Sequence, residues 1–140
     1  GRRTNDRMGE YIAARVLRLM SRHGIPTPNS RILVAGATFK ENTPDLRNSQ
    51  TGRIVAELLG YYASVDVYDP WADSEQMERE FGAPAIAVPE PGAYDAVILA
   101  VAHRELRDLG APGLRDWLKT PGVLFDVKSV LAVSDSDERL

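Results

Sequence analysis

Cysteine is absent from the 140 residues. Its absence excludes disulfides, thiolate metal ligands and a cysteine nucleophile together, and is compatible with a cytoplasmic location, which is the expectation here. Histidine is nearly as scarce: His23 and His103 stand far apart, with no acidic cluster at ligand spacing, so the sequence offers no metal site. No apolar run approaches the roughly 20 residues needed to span a bilayer. Charge of one sign is also lacking, with 17 basic residues against 20 acidic and a net charge of −3. That balance argues against nucleic acid or a membrane surface as a partner. Neither the G-x-G-x-x-G fingerprint nor a G-x-x-x-x-G-K-[ST] loop is present.

What is present is an ordinary globular composition, 44% hydrophobic and 26% charged, in a chain long enough for one domain with a real core. Met8, Ile12, Val16, Leu17 and Met20 recur at helical spacing, and Gly24, Pro26 and Pro28 stop that helix. The helix opens without a visible cap, so the chain is expected to be a piece of a longer protein. Its stripe from Met8 to Met20 can pack between subunits or against its own sheet. Apolar runs then alternate with helical segments: RILVAG, VDVYD, AIAV, AVILAVA and VLFDV, with helices predicted over 51–59 and 74–81. Nearly continuous apolar strands separated by helices indicate a parallel sheet covered on both faces. Asp73 is expected to cap the helix over 74–81, and Gly60 and Gly82 to terminate helices. The fold class is α/β, a Rossmann-like doubly wound parallel sheet with helices on both faces, preceded by an N-terminal linking helix. Residues 1–24 form the end of that linking helix, and residues 30–140 the domain proper.

In such a sheet ligands sit beyond the carboxyl ends of the strands. Phe39, Lys40 and Arg47 follow the first strand, Asp69, Pro70 and Trp71 the second, His103 follows AVILAVA, and Lys128 follows VLFDV. The loop from Gly36 to Ser49 is much longer than a bare connector requires. A dinucleotide reading would give Asp69 a ribose hydroxyl. The first turn, however, offers only Gly36, followed by Ala37, Thr38 and Phe39, and the side chains of Phe39 and Lys40 would obstruct backbone approach to a pyrophosphate. Asp69-Pro70 is read instead as a turn closing a strand.

FKENTPDLRNS, YDPWAD, VAH and FDVK, in that order, resemble the carboxy-terminal domain of the UDP-glucose/GDP-mannose dehydrogenase family. YDPWAD and DVK look closest to the branch oxidising UDP-N-acetylglucosamine or UDP-N-acetylgalactosamine. GRRTNDRMG resembles the end of the long helix joining the two halves of such enzymes. The resemblance spans almost the whole chain. It implies an NAD-dependent 6-dehydrogenase that converts a sugar C6 alcohol to a carboxylate for surface polysaccharide. NAD and the reactive cysteine would lie in an amino-terminal half, and this chain would bind the UDP-sugar without being catalytic alone. A homodimer is implied for the parent. By position, Phe39, Lys40 and Lys128 match substrate-contacting residues, and Arg47 matches an arginine reaching toward bound NAD. The sequence departs from the family pattern at Ala37, which replaces a bulkier residue, at Ser129, often glycine, and at Lys128. The UDP-glucose branch commonly carries arginine at that last position, and lysine lacks its bidentate fork.

Each residue also has a plainer role. Lys40 can be a solvated loop lysine, and Phe39 a plug under its loop. Arg47 can pair with Asp45 or Glu41 and brace the loop. His103 is read as fixed by backbone hydrogen bonds rather than as a general base, and Trp71 and Trp117 as packing residues. Arg2 and Arg3 are read as solvated. Two alternatives to the nucleotide-sugar reading are a stand-alone dinucleotide-sensing module and a dimerisation module built on the first helix.

Overall fold

Ile32, Leu33, Val34 and Ala35 are all fully buried, which requires a strand covered on both faces. The computed structural model describes residues 2–140, with side chains from residue 7 onward; the readings of Arg2 and Arg3 lie outside the described side chains. Five strands form one sheet: β1 (Arg31–Ala35), β2 (Ser64–Tyr68), β3 (Tyr94–Leu99), β4 (Leu118–Asp126) and β5 (Glu138–Arg139). Their order is β2-β1-β3-β4-β5, and every pairing is parallel.

Four helices cover the sheet: α1 (Arg2–Arg22), α2 (Gln50–Gly60), α3 (Ser74–Phe81) and α4 (Arg104–Arg115). Alternation along β1 decides which residue meets which layer. Ile32 and Val34 join Ile12, Val16 and Met20 of α1 and Ile54, Val55 and Leu58 of α2 on one face. Leu33 and Ala35 join Leu106 and Leu114 of α4 on the other. The doubly wound α/β class is therefore the observed architecture. The stripe on α1 packs against its own sheet and against α2.

Local chemistry sets the element ends. Gly24 turns left-handed at φ +73°, letting the Ile25 N–H bond back to the Met20 carbonyl at 2.9 Å and closing α1. Ser49 caps α2 by accepting the Thr51 N–H, and Asp73 caps α3 by accepting the Gln76 N–H. Gly82 ends α3 in the left-handed region, as expected. Gly60 does not terminate α2: it is the last helical residue, and the chain turns left-handed two residues later, at Tyr62.

AIAV is not a strand. Only Ala85 bridges to Val67, and the segment lies between Pro84 and Pro89, which have no N–H to extend a ladder. Val88 points outward and is 81% exposed. α4 is interrupted where Gly110 adopts φ +64° just before Pro112.

Candidate functional site

The chain winds from β1 outward to β2, then returns past β1 to β3, so the loops after β1 and β3 diverge at one edge. A cleft of about 240 Å³ opens there. Thr38 and Phe39 supply one wall, Asn48, Gln50 and Thr51 the start of α2, Ala100 and Val101 the end of β3, and Lys128 the far rim. The floor is drawn tight at Gly36. Its φ is +99°, and a Cβ there would stand 2.5 Å from the Val101 N and 2.7 Å from the Val101 carbonyl oxygen. The Thr51 hydroxyl donates to the Gly36 carbonyl at 2.8 Å, tying the start of α2 to that floor.

Of the residues singled out in the sequence, Phe39 and Lys128 line this cleft together, although they lie on loops after β1 and β4. Phe39 is 52% exposed, so it is a wall and not a core plug. Lys40 is exposed and adjoins the cleft through Phe39, without lining it. Among the described residues neither Lys40 nor Lys128 forms an ion pair, whereas Arg15, Arg31, Arg53, Arg115 and Lys119 each hold a carboxylate. Arg47 is apart from the cleft lining. Its Nε and Nη2 donate to the two oxygens of Asp45, each at 3.0 Å, with the side chain 86% exposed. The Arg47 guanidinium accordingly holds the Asp45 carboxyl below its ordinary value.

Asp69 does close a turn: its Oδ1 accepts the N–H groups of Trp71 and Ala72 at 2.7 and 3.1 Å. Oδ2 accepts the Ala37 N–H at 2.7 Å and faces His103 Nε2 at 2.8 Å. Burial alone would raise the Asp69 carboxyl; the bonds from His103, Ala37 and Trp71 outweigh it and hold the group below its ordinary value. His103 differs from its reading. One backbone group, the Asn42 N–H, binds its Nδ1, while Asp69 and Thr38 engage Nε2 through side chains. Trp71 packs, as expected: its ring stacks on His103 at 6.0 Å, and its N–H donates to Glu105.

These residues do not fit a dinucleotide at the β1 turn. Both Asp69 oxygens are engaged within the chain, and Gly36 is followed by Thr38 and Phe39 instead of by further glycines. Among the described residues no cluster of His, Asp or Glu could hold a metal ion. Sequence reasoning missed the contribution of Asn48, Gln50 and Thr51. The Ser49 cap was the available signal, since it places the first turn of α2 at the strand edge.

A doubly wound parallel sheet with a cleft and an unpaired lysine at its switch point defines a domain of the nucleotide-binding α/β class. Residues 33–133 match the UDP binding domain of the UDP-glucose/GDP-mannose dehydrogenase family, and the chain belongs to that family. It is 44% identical over its full length to a UDP-N-acetyl-D-glucosamine 6-dehydrogenase of Pseudomonas aeruginosa, and 41% identical to one of Salmonella typhi. The chain spans 33% of the length of each of these relatives. Among solved structures, a UDP-glucose dehydrogenase from Pyrobaculum islandicum superposes with a TM-score of 0.74 at 25% identity, over 98% of this chain and 30% of that one.

Proposed function

We propose that this chain is the carboxy-terminal, nucleotide-sugar-binding part of an NAD-dependent UDP-sugar 6-dehydrogenase. The substrate would be a UDP-N-acetylhexosamine, oxidised at C6 to a carboxylate in the cytoplasm for surface polysaccharide. The observation that carries the reading is the ammonium of Lys128, unpaired on a cleft at the switch point in a chain whose net charge is negative. A diphosphate is the ligand chemistry that such a cation complements, because each charge-assisted hydrogen bond contributes about 1.5–3 kcal/mol. Gln50 and Thr51, at the start of α2, line the same cleft, and the positive end of a helix favours an anion as well. Phe39 would pack against the nucleotide sugar, Lys40 would reach it from the loop, and Arg47 would leave Asp45 to approach NAD.

NAD would accept the electrons of the oxidation from a site outside this chain. The residues here bind and orient; the thiol nucleophile that the family resemblance implies would come from outside this chain, which has no cysteine. In this reading residues 1–24 end the linking helix, residues 30–140 are the UDP-sugar-binding domain, and the parent is a homodimer.

Calorimetric titration of UDP into the full-length protein carrying this chain tests the reading. Binding is expected, and Lys128→Ala and Lys40→Ala should each weaken it, about tenfold for Lys128. A protein that binds no UDP, or binds it equally well without either lysine, refutes the assignment.

A further inference from the structure

His103 is fully buried at the N-cap of α4, yet its side chain makes no capping bond there. Asn42, from the loop after β1, caps α4 instead: its Oδ1 accepts the Arg104 N–H at 2.9 Å. The imidazole is thus left to face the loop. Its Nδ1 accepts the Asn42 backbone N–H at 2.8 Å, so Nδ1 carries a lone pair and the ring proton sits on Nε2. Nε2–H points to Asp69 Oδ2 at 2.8 Å, with Thr38 Oγ1 at 3.1 Å. The Thr38 hydroxyl spends its own proton on the Lys40 carbonyl at 2.8 Å, which leaves a lone pair toward the ring.

One ring therefore grips the loop at Thr38 and at Asn42, and the residues between those grips are Phe39, Lys40 and Glu41. Asp69 adds a third hold at Ala37. Resting on the nucleotide-binding reading above, we infer that His103 is a positioning residue for the nucleotide sugar. As the Nε2–H tautomer it clamps both ends of the Phe39–Glu41 segment and so fixes one wall of the cleft. It acts through Thr38 and Asn42, from behind the wall. A neutral ring is required, because a second proton on Nδ1 would face the Asn42 N–H, donor against donor.

Two substitutions separate the grips. Asn at 103 keeps an acceptor where Nδ1 lies, and Gln keeps a donor where Nε2 lies. In the full-length protein, His103→Gln should weaken UDP binding about tenfold and raise KM for the nucleotide sugar with little change in kcat. His103→Asn keeps the Asn42 grip but releases Thr38 and Asp69, and should weaken binding by about threefold or more. Unchanged UDP binding in either variant overturns the clamp. Ring nitrogen shifts of the unsubstituted protein give a check that needs no variant: an Nε2–H tautomer is expected, and an Nδ1–H tautomer overturns the inference. Hydrogen exchange at the Asn42 amide distinguishes this inference from the binding reading. It should be slow in the unsubstituted protein and in His103→Asn and fast in His103→Gln, with or without UDP; fast exchange in all three overturns the clamp even where UDP binds.

Discussion

The carboxylate of Asp69 ends β2 with both oxygens engaged, Oδ1 by two amides of its own turn and Oδ2 by Ala37 and His103 from two other loops. Its side chain is fully buried, so the charge persists because those donors replace water. A folded-state value held below the ordinary 3.8 means that the group stabilises the fold above that pH, and that this contribution disappears as pH falls through the lower folded value. Asp69→Asn should therefore cost about 2–4 kcal/mol near neutral pH, since the NH₂ of the amide faces one of the donors from which the carboxylate accepts. Urea unfolding between about pH 5 and pH 2 should show a fall in stability for the unsubstituted protein below its ordinary carboxylate range. The same series in Asp69→Asn should be flatter. Equal slopes would show that Asp69 does not carry that part of the acid response.

Two glycines at element ends differ in what their missing side chains permit. At Gly36 the left-handed backbone and the approach of Val101 leave no room for a methyl group, and Gly36→Ala should cost about 2–4 kcal/mol in chemical denaturation. Gly60 is exposed inside the last turn of α2, and a Cβ added there would meet nothing within 4 Å. Gly60→Ala should stabilise by about 0.5–1 kcal/mol in the same measurement. The sequence could mislead at Gly60 because glycine is the usual left-handed terminator, whereas here Tyr62 adopts that conformation at φ +67°. β1 and β3 were legible, being apolar runs buried on both faces, and so was α3, framed by Asp73 and Gly82. AIAV was apolar enough to mimic a strand, but its flanking prolines restrict it to a single bridge. The edge shared by Phe39 and Lys128 follows from the order of elements alone. The grip of His103 on Thr38 and Asn42 does not, because residues so distant in sequence meet only through the packing of two irregular loops.

At the scale of the whole molecule the question is whether charge or contact area holds the nucleotide. The chain carries a net charge of −3, so its overall field opposes an anion, and attraction must come from within a few ångströms of the cleft. Lys128 is exposed on that rim, where dissolved ions screen it: the Debye length shrinks from about 10 Å at 0.1 M to about 3 Å at 1 M. Phe39 offers the opposite kind of contact, apolar and insensitive to moderate salt, from a half-exposed side chain that lines the cleft. If the lysine dominates, UDP affinity in the full-length protein should fall about fivefold across that range of salt, and Lys128→Ala should reduce the dependence to about twofold. If the aromatic wall dominates, the unsubstituted protein's affinity would hardly change with salt, and Phe39→Ala would cost more than Lys128→Ala. Isothermal titrations at the two ionic strengths decide between them.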